Sequence, residues 1–250
     1  MSVKSALRIC CFMWFDSNME GYGDVNFNIN KIYCDKYGYD IKQTSMRKFL
    51  DKTPHWERLP FILRHLEDYD YIVWLDADAH FFVDSPPLTN IIDEYPDKLF
   101  ILSGDIDTPP YDKYASINSG FFIAKNTIET KHIFYEWAYS EKLYNTRLGF
   151  VVGKDRGLYQ DQGVLRLMVD KNLFGMRDKS IVIEYCVLQI FPGVNPLIFP
   201  EAKLICDTTR FGLNKQPFVC HWTKYNGIDR LMNSLEYYNK ICSPEWKMLH

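Results

Sequence analysis

An α/β sandwich with a mostly parallel central sheet is the fold class that three features of this sequence predict. Short apolar runs alternate with stretches of helical periodicity along the chain. One run, Tyr71-Ile-Val-Trp-Leu75, is continuous, as a parallel strand buried on both faces requires. No repeat, low-complexity tract or Ser/Gly linker interrupts the 250 residues, so a single domain over 1–250 is expected.

In chain order, the apolar run at 7–14 reads as a buried strand that ends at Asp16, and a helix at 24–37 is stopped by Gly38. A second strand follows at 39–44. Over 56–66, Leu59, Ile62, Leu63 and Leu66 recur at helical spacing, with Pro60 tolerable only in a first turn. After the strand at 71–75, Pro86 and Pro87 lead into a short helix ending near Glu94. Strands at 99–103 and 117–124 then flank a loop that holds Pro109 and Pro110. Helices are expected at 127–139 and 161–170, and the Gly-bearing, basic stretch between them at 141–159 reads as a mobile flap. Short strands near 181–184, 204–206 and 218–220 precede a last helix at 228–241.

Composition excludes several classes. Hydrophobic content of 47% with 24% charged residues is not that of a disordered or fibrous chain. The longest apolar run, 9–15, is too short to cross a bilayer. A net charge of -3 supplies no basic field for nucleic acid. The seven cysteines are odd in number and form no CxxC pair, which suits a reducing compartment. With no signal-peptide pattern and no N-x-S/T acceptor, a soluble, cytoplasmic protein is expected. The 16% aromatic content suits sugar stacking as well as a large core.

Trp74-Leu-Asp76-Ala77-Asp78-Ala-His80 carries the sharpest chemistry. Where a buried parallel strand ends, Asp76 and Asp78 emerge at the carboxyl edge of the sheet, the ligand-binding edge of open α/β folds. Such a pair repels unless a cation lies between, and oxygen ligands of this kind suit Mg or Mn, which bind diphosphate oxygens in turn. Capping of an Asp-rich turn is the rival reading.

Five motifs in order extend the signal: Trp56-Glu-Arg-Leu-Pro-Phe-Ile-Leu-Arg64, the segment Trp74 to Phe81, Ile117-Asn-Ser-Gly-Phe-Phe-Ile-Ala-Lys-Asn126 with Trp137, Tyr159-Gln-Asp-Gln162, and His221. Together they resemble glycosyltransferase family 34, a galactosyl-, mannosyl- and xylosyltransferase group. The resemblance implies a GT-A fold, a Rossmann-like α/β/α sandwich with a mixed, mostly parallel sheet. It implies transfer from a nucleoside-diphosphate sugar, a UDP-sugar before a GDP-sugar, to a glycan or glycoconjugate hydroxyl with retention, using Mn(II) or Mg(II).

Under that resemblance Asp76, Asp78 and His221 hold the metal, and Asn118, Asp161 and Gln162 lie near the transferred sugar. Arg58 stands where the family has Lys; phosphate or sugar contact and a solvated helix face are both open for it. Asp161 also sits where a helix N-cap belongs. Met13, Trp14, Phe15 and Asp16, at the end of the first strand, are expected to meet the nucleotide, while Trp14 and Phe15 also suit plain core. Ala77 belongs to the same donor-binding set. Asp105 and Asp107 lie where they could reach sugar hydroxyls. Lys224 belongs to the donor-binding set as the basic residue for the diphosphate, though it follows His221 more closely than the family spacing, and the family's membrane anchor and stem are not found. Two other classes stay open: a metal-dependent nucleotidyltransferase, whose Gly-rich phosphate loop is missing from 16–20, and a carbohydrate-binding protein without turnover.

Overall fold

The run at 71–75 forms a strand with the predicted limits in a computed structural model that describes residues 6–105, 117–140, 161–185, 187–191, 210–213, 217–222 and 225–243. The expected flap at 141–159, the strand at 204–206, the Pro109–Pro110 loop, Asp107 and Lys224 lie outside the described residues.

Six strands make the central sheet: β1 (Ile9–Trp14), β2 (Asp40–Thr44), β3 (Tyr71–Leu75), β5 (Phe100–Gly104), β6 (Ile117–Lys125) and β7 (Ser180–Ile183), in the order β2-β1-β3-β6-β5-β7. Pairs β1–β2, β1–β3 and β5–β7 are parallel, while β6 runs against both β3 and β5. The expected mixed, mostly parallel sheet is thus present, with β3 parallel to its neighbour on one side only.

Alternate residues feed two cores, as the period of two in a strand dictates. Cys11, Met13, Val73, Leu75 and Ile123 pack beneath α1 (Glu20–Tyr37) and α3 (Thr89–Glu94). Phe12, Trp74 and Phe122 pack on the opposite face beneath α2 (Arg58–His65), α4 (Ile128–Tyr139) and α5 (Asp161–Asp170). Burial of each such apolar side chain contributes roughly 1.5–3 kcal/mol. This is the α/β/α sandwich that the element order predicts.

Three local departures from the sequence reading position the site. The first helix begins at Glu20, not at residue 24, because the Asp16 carboxylate accepts from Asn18 N at 3.0 Å and turns the chain at once after β1. Gly23 then passes under Phe15, where a Cβ would lie 2.7 Å from the ring. A short strand that periodicity does not reveal, β4 (Ala79–Phe81), follows the paired carboxylates. It joins a second sheet of order β4-β9-β8, with β8 (Gln189–Ile190) and β9 (Val219–His221). Last, β6 bulges against β5: Leu102 pairs with Phe122 but Ser103 with Asn118, so Ser119, Gly120 and Phe121 have no partner on β5.

Pro60 lies in the first turn of α2, whose entry is a 3-10 turn at Pro54–Glu57, so its missing N–H breaks no ladder bond. The short helix α6 (Met176–Lys179) precedes β7, and α7 (Gly227–Cys242) closes the chain against α1 around Ile29, Val83 and Ile241. Among the described residues, no helix is long and apolar enough to cross a membrane.

Candidate active site

The strand β3 delivers Asp76 and Asp78 to the carboxyl edge of the sheet, and α1 fixes the loop that carries them. Asn26 donates from Nδ2 to Ala77 O at 2.9 Å; Asn30 donates to Ala79 O at 3.1 Å and accepts from Phe81 N at 2.8 Å. Both asparagines are fully buried, so these bonds are shielded from water and costly to lose. Asp76 N donates to Gly120 O at 2.9 Å and Trp222 N to Asp78 O at 2.9 Å, which adds β6 and the chain after β9 to the clamp.

His221 arrives from the second sheet. Its Cα pairs with that of Ala79, and its Nε2 lies 3.1 Å from Asp78 Oδ1 and 3.8 Å from Asp76 Oδ2. One ligand atom from each of the three residues falls within 4.8 Å of the others. Gln189 Oε1 lies 3.1 Å from His221 Nδ1. An N–H at Nδ1 donating to that oxygen leaves the Nε2 lone pair facing the carboxylates, the arrangement by which outer groups orient metal-binding imidazoles. Two carboxylates and one imidazole fit a hard or borderline divalent ion. Gly120 makes room for the ring, since a Cβ there would lie 2.2 Å from His221 Cε1.

The charges of this cluster compensate one another. Burial opposes an imidazolium at His221, but the charge and hydrogen bond of Asp78 outweigh it and raise its pKa. Burial likewise opposes ionisation of Asp78, yet His221 and Arg230 together hold its carboxyl below the ordinary range. Asp76 Oδ1 accepts from Trp74 Nε1 at 2.8 Å and faces Arg58 Nη2 at 3.1 Å.

Across the cavity, Arg58 is buried, which removes the solvated-face reading. Its Nε lies 2.9 Å from Asp161 Oδ2 and donates to His55 O at 3.0 Å; Nη1 donates to Ser119 O, and the guanidinium lies 5.0 Å from the centre of the Trp74 ring. Burial raises the Asp161 carboxyl above the ordinary carboxylate range, and the charge of Arg58 offsets only part of that. The Asp161 side chain is thus ion-paired with Arg58 at the first residue of α5, while its buried Oδ2 accepts no hydrogen bond among the described residues. Gln162 Oε1 accepts from Ser119 N at 2.9 Å and Oγ at 3.2 Å, while Asn118 Oδ1 accepts from Gly120 N at 2.8 Å.

A cavity of about 530 Å³ joins these groups. Trp14, Asp16, Arg58, Asp76, Ala77, Asp78, Asn118, Asp161, Gln162 and His221 all line it. Met13 and Phe15 do not; both are buried in the core on the α1 side of the sheet, and Met13 Sδ accepts from Asn30. Trp14 is also largely core, with Nε1 donating to Met46 O at 3.0 Å. Asp105 is paired with Arg166 at 2.8 Å and is not a wall residue.

Sequence reasoning missed Arg230, which lines the cavity with Nη1 3.3 Å from Asp78 Oδ2, and Gln189 behind His221. It also missed the two clamping asparagines. The spacing of Asn26 and Asn30, four apart on a helix whose buried face includes Ile29 and Tyr33, is the one signal that could have found them.

Residues 32–222 match the family model described as nucleotide-diphospho-sugar transferase. Curated protein sequences give no match. Among solved structures, a glycosyltransferase involved in glycosylation of the major capsid of PBCV-1 aligns with TM-score 0.62 at 14% identity, over 92% of this chain and 99% of that one. The galactosyltransferase LgtC, in complex with donor and acceptor sugar analogs, aligns with TM-score 0.55 at 13% identity, over 95% and 99%. The bifunctional WbbM aligns with TM-score 0.54 at 12% identity, over 96% of this chain and 53% of that one. At these identities the likeness shows the GT-A fold. The match over 32–222 goes further: this chain belongs to the nucleotide-diphospho-sugar transferase family.

Proposed function

We propose that this chain is a metal-dependent glycosyltransferase, built as one catalytic domain over 1–250, that moves a sugar from a nucleoside-diphosphate sugar to a hydroxyl of a glycan or glycoconjugate. The observation that carries the reading is the Asp76, Asp78 and His221 cluster at the carboxyl edge of the sheet, inside a cavity that also holds Asp161 and Gln162. Sugar transfer by the proteins of similar fold supports it, and so does the family match. The ordered motifs favour affinity with glycosyltransferase family 34, a UDP-sugar and retention of configuration.

Asp76, Asp78 and His221 would hold Mn(II) or Mg(II), which supplies a Lewis acid for the departing diphosphate. The remaining work falls to the chain. Arg58 holds Asp76 and Asp161 in place at once, a task suited to a planar fork of donors. With its carbonyl oxygen taken by Ser119, Gln162 presents its amide nitrogen as the group for a sugar hydroxyl. Trp14 offers an apolar wall to the base.

The resemblance to the retaining family favours a same-face route over a covalent one, and the ion pair of Asp161 with Arg58 agrees with it. The bond from the anomeric carbon to the diphosphate oxygen breaks with its electron pair left on that oxygen. The acceptor hydroxyl bonds to the carbon on the same face, and its proton passes to the departing diphosphate. Asp161→Asn is expected to slow transfer with no glycosyl-enzyme formed; a sugar adduct on Asp161 in mass spectrometry would overturn this route.

A thermal-shift panel of nucleotide sugars with and without Mn(II) tests the function itself. One donor should raise the melting temperature only with metal present. No stabilisation by any of them with Mn(II) would refute the reading, and binding without release of nucleotide would leave a non-catalytic binder.

A further inference from the structure

Nine large hydrophobic side chains stand exposed among the described residues, and four of them, Met46, Leu50, Tyr135 and Tyr139, gather around one buried ring, that of Phe49. The Tyr139 ring centre lies 5.5 Å from that of Phe49 and 5.0 Å from that of Tyr135, while Met46 and Leu50 flank Phe49 in the chain. Single exposed apolar residues are ordinary on a protein surface. A group of them at one place marks a surface that meets something.

The loop that carries Met46 and Leu50 is firmly held. Glu57, whose side chain is buried beneath it, accepts from Lys48 N at 2.7 Å and from Phe49 N at 2.8 Å. Arg47 Nη2 donates to Phe49 O at 3.0 Å and to Lys52 O at 2.8 Å, and Lys52 Nζ donates to Ala138 O at 2.7 Å, which ties the loop to α4. A buried carboxylate thus fixes a turn that leaves Leu50 89% exposed and Met46 57% exposed. Held in water these side chains gain nothing; an acyl layer would bury them.

Charge selects the partner. Lys48 and Arg64 are exposed and have no carboxylate partner among the described residues, and Arg64 Nη2 lies 3.4 Å from Met46 Sδ. With Arg47 they place three basic groups around the apolar ones, in a chain whose net charge is -3; Asp51 is the one acidic residue of the loop. Leu50, so nearly free of neighbours, offers no groove to a shaped partner and suits a fluid one. Leucine, methionine and tyrosine among lysine and arginine are the chemistry of a bilayer interface with anionic headgroups.

We propose that the loop 46–50, with Tyr135 and Tyr139 of α4, docks the protein on an anionic membrane surface. The cavity lies beside it: Trp14, a wall residue, donates to Met46 O at 3.0 Å, and Pro54 and His55, just past Leu50 in the chain, also line the cavity. Under the transferase reading, docking here sets the cavity at the bilayer, so the glycan it extends is one borne by a lipid. That consequence alone rests on the reading; the docking does not.

Sedimentation of the full chain with phosphatidylcholine vesicles containing about one third phosphatidylglycerol tests the docking, with pure phosphatidylcholine as the control. The wild type should bind the anionic vesicles about tenfold or more tightly than the neutral ones, and high salt should release it. Met46→Ser with Leu50→Ser should weaken that binding about tenfold. Lys48→Glu with Arg64→Glu should abolish the preference for anionic lipid. All four side chains are exposed, so both double variants should keep the wild-type melting temperature and its Mn(II)-dependent rise with the nucleotide sugar. A wild type that binds both kinds of vesicle equally or neither, or double variants that bind as the wild type does, would overturn the proposal. Vesicle binding by a wild type that no nucleotide sugar stabilises would instead refute the transferase reading and leave the docking in place.

Discussion

The two walls of the cavity compensate buried carboxylates in opposite ways. On one wall, Asp161 is paired with an arginine that is itself buried and bonded to two backbone carbonyls. On the other, Asp78 is met by His221 and Arg230, which come from a separate small sheet and the last helix. The first wall is a buried ion pair whose arginine is held by backbone carbonyls. The second draws its compensating charges from elements outside the main sheet.

The sharpest way to break that contrast is to remove each arginine in turn. Arg58→Met strands Asp161 in the interior and should destabilise the fold by about 3–5 kcal/mol in urea unfolding. Arg230→Gln should cost less, about 1–3 kcal/mol, because His221 still faces the buried Asp78. Equal losses would dissolve the distinction between the walls.

The second wall has its own pressure point at Gly120. In Gly120→Ala the new methyl occupies the place of the imidazole, 2.2 Å from Cε1, and should weaken Mn(II) binding about 100-fold while the sheet stays folded. Unchanged metal affinity would remove His221 from the ligand set. The clamp under the carboxylates comes next: Asn30→Ala leaves Phe81 N and Ala79 O without their partner and should cost about 1–3 kcal/mol of stability. Behind the imidazole, Gln189→Leu should weaken Mn(II) about tenfold by freeing the ring tautomer, with little change in melting.

The smallest effect is a pH dependence of the metal-free protein. The raised pKa of His221 contributes stability that is full below the ordinary imidazole value of 6.5 and is lost as pH climbs through the folded-state value. Melting temperatures measured upward from pH 6.5 should therefore fall, and His221→Gln should flatten that slope. A slope that survives the substitution would assign it to another group.

What was legible in the sequence divides along the same line. The limits of β3 and the place of Asp76 and Asp78 could be read because a five-residue apolar run is too short for a helix and reads as a buried strand that ends where polarity returns. Gly38 marked the end of α1 through its left-handed conformation, φ 70°. The walls were harder to read. Helical patterning counts Arg58 as polar and assigns it to solvent; only tertiary packing against Asp161 turns it inward. Gln189 lies on β8 and Arg230 on the helix after β9, and no local pattern encodes the pairing of β9 with β4 and β8 that brings them to the site. His221 was reached through the ordered motifs alone.

Release of nucleoside diphosphate from the stabilising nucleotide sugar, with acceptor present, tests most directly whether Asp76, Asp78 and His221 hold the metal that transfer requires. Release should depend on Mn(II), stop with a chelator, return on adding Mn(II) back, and be lost in Asp78→Asn. Release that continues under chelation, or at the wild-type rate in Asp78→Asn, would contradict a metal-dependent transferase at this site.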